Sequence, residues 1–228
     1  MKSINFFEKE FKKIGLDSQR LYPNEEFCRY LARYKQLFRN KSFSVLEVGV
    51  GSGANLKPML DLKLKIDAID ISKTSIKLLK KKYKNEKINF KTLNMLEIKK
   101  LNKKYDFIFD IFSSYSLKTT EGIAFINEVF KSLKKGGKFF SFFPSKKSDT
   151  WTRSQKKNKI DSNTLIKIDN NKLAYYNNNY PFRFHTKKEY SNILNKAGFK
   201  IKSCETLSRT YNNTKFKSVF LIVEVEKK

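Results

Sequence analysis

Apolar residues in this chain gather in short continuous runs, separated by stretches whose apolar positions recur at helical spacing. The run from Phe43 to Val48 carries Phe43, Val45, Leu46 and Val48, and then gives way to glycines. "KIDAIDIS" places Ile66, Ala68 and Ile69 on a second predicted strand that ends in Asp70. "INFKTLNML" (Ile88 to Leu96) reads as a third strand closing on Asn94 and Met95. "YDFIFDIF" (Tyr105 to Phe112) reads as a fourth, apolar apart from Asp106 and Asp110, as a strand buried on both faces should be. "KFFSFF" (Lys138 to Phe143) is the fifth.

The intervening segments carry helix signals. Ser72 is placed to cap a helix with Ile76, Leu79 and Tyr83 on one face. A longer helix shows Ile123, Ile126, Val129, Phe130 and Leu133, and stops at Gly136-Gly137. Near the N-terminus, Asn24 follows Pro23 as an N-cap, Glu25 and Glu26 suit the first turn, and Phe27, Leu31, Tyr34 and Phe38 form an apolar face. "EYSNILNKAGF" (Glu189 to Phe199) is a last helix and turn, and "KFKSVFLIVEV" (Lys215 to Val225) a final strand. Strand and helix alternating in this way predict a doubly wound, mostly parallel sheet of the α/β class.

The chemistry concentrates where the first strand ends, in Glu47-x-Gly49-x-Gly51-x-Gly53. Glycines at a strand-to-helix turn accept positive φ and remove Cβ atoms, so a ligand can approach the backbone beside a helix N-terminus. Dinucleotide sites show G-x-G-x-x-G; here the third glycine comes one residue early and an acid stands two before the first. About 20 residues on, Asp70, followed by Ile71, can accept hydrogen bonds from both hydroxyls of a ribose.

These residues resemble motif I and the following strands of the class I S-adenosylmethionine (SAM)-dependent methyltransferases, over roughly residues 43 to 143. The resemblance implies a seven-stranded Rossmann-like sheet with the last strand inserted antiparallel beside the fifth. It implies SAM as cofactor, with Glu47, Gly49, Gly51 and Gly53 at the methionine end, Asp70 and Ile71 at the ribose, and Asn94 and Met95 at the adenine. Asn94 stands where Asp is commoner in the family, and its amide carbonyl can still accept a hydrogen bond. Asp110 and Ile111 would border SAM, and Phe112 and Tyr115 would face the acceptor.

Length fits one domain over residues 1–228, which the resemblance implies is a methyltransferase domain. No apolar run in "MKSINFFEKEFKKIG" is long enough for a signal peptide or membrane span. Cys28 and Cys204 show no C-x-x-C pairing and read as reduced structural thiols, so a cytoplasmic setting is expected. No group of His, Cys and carboxylates has metal-ligand spacing. The formal charge is +27, yet only seven of the 49 basic residues are arginines. Readers of nucleic acid lean on Arg for bidentate contacts. Lys, Asn, Ile and Phe share A/T-rich codons, so the surplus follows from codon bias without a ligand. After the fourth strand "DIFS" stands in place of the Asn/Asp-Pro-Pro-aromatic motif of base-amine methyltransferases.

Specificity in such a fold comes from additions to the sheet. One is the N-terminal segment 1–41, read as helices closing over SAM as a lid, with Arg20 and Tyr22 in the turn before its second half. The other is a cap insertion, 144–185, before the last helix, with two short strand-like runs around Asp169-Asn170-Asn171. Within it Tyr175, Tyr176, Tyr180, Phe182 and Phe184 supply aromatic walls for an acceptor pocket. Arg183 could hold a carboxylate or phosphate. His185, the one histidine, is the candidate general base, although it also precedes the capping box Thr186-x-x-Glu189. The expected activity is methyl transfer from SAM to O, N or S of a small polar or anionic metabolite, with Tyr22, Phe112, Tyr115, Tyr176, Tyr180 and Arg183 binding it. No nucleic-acid or membrane partner is expected. The alternatives are an RNA methyltransferase and a non-catalytic SAM-binding protein.

Overall fold

The computed structural model describes residues 2–40 and 42–228; Met1 and Lys41, the two ends of the 1–41 segment, lie outside the described residues. Helix α1 (Lys2–Ile14) and a 3-10 turn (Gly15–Ser18) precede α2 (Glu25–Arg33) and α3 (Lys35–Asn40). Strand β1 (Ser44–Val48) leads to α4 (Leu56–Asp61), β2 (Lys65–Asp70) to α5 (Lys73–Lys82), and β3 (Ile88–Thr92) to a 3-10 stretch (Met95–Leu101). Then come β4 (Tyr105–Ile111), a 3-10 turn (Ser114–Ser116), α6 (Thr119–Ser132), β5 (Leu133–Pro144) and α7 (Asp149–Thr152). After these follow β6 (Thr164–Leu165), β7 (Phe182–Arg183), α8 (Lys187–Lys196), β8 (Phe199–Tyr211) and β9 (Phe216–Lys227).

Seven strands form one sheet in the order β3-β2-β1-β4-β5-β9-β8. The first five are parallel, whereas β9 runs antiparallel between β5 and β8. Chain order reverses between β1 and β4, and at such a switch point the loops diverge and leave a crevice at the carboxyl ends of the strands. The expected doubly wound, mostly parallel seven-stranded sheet is therefore observed.

Both faces of the sheet are covered, which explains the near-continuous apolar runs. On one face Leu46, Val48 and Ile108 pack with Phe125, Ile126 and Val129 of α6 and with Tyr190 and Leu194 of α8. On the other, Val45, Phe107 and Phe109 pack with Phe27, Tyr30 and Leu31 of α2 and with Ile76 and Leu79 of α5. The expected caps are made. Asn24 Oδ1 accepts from Phe27 N at 3.0 Å, and Ser72 Oγ from Ser75 N at 3.0 Å. Thr186 and Glu189 form their reciprocal box at 2.8 and 3.2 Å.

Two local expectations are corrected. The helix drawn through Phe38 breaks at Tyr34, whose backbone leaves helical geometry (φ −99°, ψ 7°). The break lets the Tyr34 phenol donate to Glu224 on β9 and brings Phe38 against Phe107, centroids 5.1 Å apart. The strand-like runs flanking 169–171 do not pair with each other. Leu173 N does turn back to Asn170 O at 3.0 Å, but β6 pairs with β7, so the chain from 166 to 181 forms a larger loop.

Candidate active site

The glycine turn after β1 has the backbone its sequence requires: Gly49 and Gly51 take φ of 67° and 55°, a region costly for residues with a Cβ. Each bare Cα is also a point of close approach. A Cβ on Gly49 would lie 2.4 Å from Cβ of Ser113, and one on Gly51 would lie 2.1 Å from Oε1 of Gln19. The turn is thus gripped by the loop after β4 on one side and by the N-terminal segment on the other.

Glu47 at the end of β1 is buried, and Asn55 Nδ2 donates to its Oε1 at 2.9 Å. Asn55 Oδ1 in turn accepts from Asn24 N at 2.9 Å, so the acid is tied to the start of α2. Glu47 Oε2 is buried with no hydrogen-bond partner. Burial pushes its pKa up to about 8, with the Asn55 bond opposing and the nearby Asp70 charge adding to the rise. A carboxyl held this way gains by facing a cationic group.

Asp70 closes β2. Its Oδ2 accepts from Gly51 N and its Oδ1 from Ser72 N, each at 2.9 Å. Each carboxylate oxygen keeps further lone-pair capacity. Burial raises its pKa, against the lowering effect of the backbone donors at Ser72, Gly51 and Ile71. Above it lies α1, fastened by Glu8, whose carboxylate accepts from Ser72 Oγ and Thr74 Oγ1, both at 2.7 Å, at the N-terminus of α5. Desolvation opposes ionisation of Glu8, yet the Thr74 and Ser72 hydrogen bonds and the Lys12 charge hold its pKa down at about 2.

A cavity of about 370 Å³ crosses the carboxyl ends of the parallel strands at the switch point. This lies in the size range of small-ligand sites. Its lining includes the polar Ser18, Gln19, Ser52, Asn55, Asp70 and Asn94, with Gly49, Ile71, Met95 and Ile111. Phe6 and Phe7 of α1, Phe112 and Tyr115, and Tyr175 and Tyr180 from the insertion also line it, their rings in mutual contact, with Leu117 beside them. Arg20 supplies a cation to its wall. The Tyr115 and Tyr180 hydroxyls are 3.1 Å apart.

The sequence-predicted residues divide accordingly. Gly49, Asp70, Ile71, Asn94, Met95, Ile111, Phe112, Tyr115 and Tyr180 all line the cavity. Asn94 also uses its Oδ1 to cap the following turn, accepting from Leu96 N at 3.0 Å. Glu47, Gly51, Gly53 and Asp110 stand behind the wall. Gly51 is covered by Gln19, and Gly53 faces Leu79 and Leu56. Asp110 is fully buried and accepts from Ser113 N, Ser114 N and Ser141 Oγ, so it shapes the turn rather than meeting a ligand.

Four expected acceptor-side residues are corrected. Tyr22 is 80 % exposed and Tyr176 48 % exposed, and neither lines the cavity. The turn before α2 reaches the site through Gln19 and Arg20 instead. Arg183 is buried away from the cavity. Its Nη2 donates to Ser114 O at 3.1 Å, its guanidinium lies 5.0 Å from the Phe143 ring, and it occupies the space that a side chain on Gly122 would fill. His185 is also buried outside the cavity, packed against both Phe143 and Tyr190 at 5.3 and 5.4 Å, with neither ring nitrogen hydrogen-bonded. Burial and then the Arg183 charge drive its pKa well below the usual imidazole value. The general-base role does not fit that position.

Sequence reasoning missed Phe6, Phe7, Gln19, Asn55 and Ser113. The usable signals were the apolar pair on an otherwise charged α1 and the room that the bare Gly51 leaves.

Residues 45–137 match the family model described as "Methyltransferase domain". No curated protein matches the chain in sequence. Solved structures share the fold. A SAM-dependent methyltransferase from Methanosarcina mazei is 17 % identical, with 91 % of this chain and 99 % of that one covered at a TM-score of 0.67. The 1,6-didemethyltoxoflavin-N1-methyltransferase of Burkholderia thailandensis, bound to 1,6-didemethyltoxoflavin and S-adenosylhomocysteine, is 15 % identical, with 100 % and 89 % covered at 0.66. The N-methyltransferase NodS of Bradyrhizobium japonicum, in complex with S-adenosylhomocysteine, is 15 % identical, with 100 % and 99 % covered at 0.65. The strand order matches the fold that these SAM-dependent methyltransferases share, and residues 45–137, which hold the glycine turn, resemble a methyltransferase domain. Among the described residues no helix is long and apolar enough to cross a membrane.

Proposed function

We propose that this chain transfers the methyl group of SAM to a small molecule seated against the aromatic rings of the cavity. The observation that carries the reading is one cavity whose lining joins two chemically different groups: a glycine turn with polar side chains and the Asp70 carboxylate, and a cluster of contacting aromatic rings. The polar lining suits the cofactor. Asp70 keeps acceptor capacity for a ribose, Asn94 and Met95 edge the adenine side, and Gly49 with Asn55 borders the methionine side. The unpartnered Glu47 Oε2 behind Asn55 fits a cationic neighbour. When bound, SAM supplies a methyl group already activated by the sulfonium charge.

The protein then has to align the acceptor and exclude water. Phe6, Phe7, Phe112, Tyr175 and Tyr180 provide the dry wall. The N-terminal helices and the 144–185 segment, as parts of one domain, act together as this enclosure. With Arg183 outside the cavity, its support for an anionic acceptor is lost, and Arg20 is the cation near the mouth.

Calorimetric titration of SAM into the wild type and Asp70→Ala tests the cofactor half. Loss of the ribose contacts should cost on the order of 1–3 kcal/mol, tenfold or more in affinity. Undiminished affinity in the variant would overturn the assignment. A metabolite pool incubated with isotopically labelled SAM then reports the acceptor by product mass.

A further inference from the structure

Two of the cavity's aromatic residues carry left-handed backbone. Phe112 has φ of 58° and Tyr175 of 64°, and no other aromatic among the described residues has positive φ. Bulky side chains avoid this region, and such strain persists where surrounding structure fixes a side chain for a purpose. Both rings face the cavity, 5.7 Å apart and inclined by 31°. Tyr115 extends the same wall, its ring 4.4 Å from that of Phe112. Phe6 and Phe7 bring rings from α1, each about 5 Å from Tyr180. Rings from three separate chain segments thus converge on one space.

The titratable lining is as informative. Among the described residues that line the cavity, it consists of Arg20, Asp70, Tyr115, Tyr175 and Tyr180. Asp70 is engaged at both oxygens by backbone donors on the cofactor side. The phenols are pushed by burial toward remaining neutral. In the Tyr115–Tyr180 pair one hydroxyl proton is used between the rings, which leaves the other to donate to a ligand. The site offers stacking faces and a hydrogen-bond donor but no ready proton acceptor.

Resting on the methyltransferase reading above, we propose that the acceptor is a planar N-heteroaromatic molecule, methylated at a ring nitrogen that is nucleophilic without prior deprotonation. The ring stacks on Phe112 and Tyr175, and the Tyr115–Tyr180 pair donates to a heteroatom at its edge. The nitrogen lone pair forms the new N–CH3 bond as the S–CH3 bond breaks. The bonding pair remains on sulfur, which becomes a neutral thioether, and the positive charge passes to the acceptor. Where the ring bears an N–H, that proton leaves to water afterwards.

The test titrates S-adenosylhomocysteine first, then adds planar probes (quinoline, isoquinoline, quinazoline, purine) and the saturated decahydroquinoline to the loaded protein. At least one planar probe is expected to bind about tenfold more tightly than decahydroquinoline. Replacing a stacking face, in Tyr175→Leu and separately in Phe112→Leu, should reduce that preference severalfold. With labelled SAM, the planar set should yield N-methyl products at rates flat from about pH 7 to about pH 9, whereas 1-naphthol, which must lose a proton, should not be preferred. Failure of S-adenosylhomocysteine to bind would defeat the methyltransferase reading itself. Binding of S-adenosylhomocysteine without any planar preference would overturn this proposal alone, as would products confined to oxygen or rates rising with hydroxide.

Discussion

Gly122 sits in the first turns of α6 and is buried. By helix propensity alone, Gly122→Ala should stabilise the protein by about 1 kcal/mol. The packing argues the opposite. A Cβ there would lie 1.0 Å from Nη1 of Arg183, 2.0 Å from its Cζ and 2.6 Å from its Nη2. The guanidinium is held on its other sides by Ser114 O and the Phe143 ring, so it cannot slide while keeping its hydrogen bond. Losing a charged hydrogen bond costs about 1.5–3 kcal/mol, and leaving a buried charge without its partner costs about 3–5 kcal/mol as a whole. Subtracting the propensity gain leaves a net loss of about 2–4 kcal/mol, roughly 5–15 °C in Tm for a chain of this size. Chemical denaturation of Gly122→Ala, Arg183→Met and the double variant reads the coupling. In the Arg183→Met background the alanine should be tolerated far better, because a flexible uncharged chain can move aside. If Gly122→Ala is as stable as wild type, or if its cost is unchanged when Arg183 is replaced, the buried latch is wrong.

Further outcomes follow from the same contacts. His185→Phe should keep turnover, because the ring packs against Phe143 and Tyr190 outside the cavity. The folded-state pKa of His185 lies below the ordinary 6.5, so its contribution to stability is present above about pH 6.5 and lost as pH falls. Denaturation curves for the Phe variant should lack that part of the acid loss, and a large drop in turnover would restore the catalytic reading. Glu47 has the opposite sign of slope. Its folded pKa is raised from 4.5 to about 8, so in the cofactor-free protein it costs stability as pH climbs through that window. Glu47→Gln should flatten the decline, on the order of a few kcal/mol at most, as urea midpoints measured across the window would register. Glu8→Ala should release α1 from the start of α5, weakening SAM binding several-fold and exposing α1 to protease; unchanged calorimetry and digestion would argue that α1 holds by its apolar contacts alone.

What could be read from the chain in advance divides by the range of the interaction. The parallel strands announced themselves because burial on both faces demands apolar runs such as Tyr105 to Phe112, a purely local signal. The caps at Asn24, Ser72 and Thr186 were legible for the same reason, since donor and acceptor lie within three residues. Asp70 was legible because a strand end fixes where its carboxylate points. Arg183 and His185 were not. As polar residues in an aromatic segment they suggest a site, and only the tertiary structure shows that a bare helix position at Gly122 makes room to bury the guanidinium. A glycine inside an amphipathic helix costs stability unless something approaches it closely, so Gly122 was itself the overlooked clue, silent about which residue approaches. The α1 wall was hidden in a similar way. Phe6 and Phe7 look like the apolar face of an ordinary amphipathic helix, and nothing local distinguishes packing on a core from packing over a cavity. Glu8 makes the difference, because its three partners lie at the start of α5, 64 and 66 residues away. The enclosure of the cavity by its aromatic lining therefore depends on contacts between distant segments, and substitutions there should alter acceptor choice before they alter the fold.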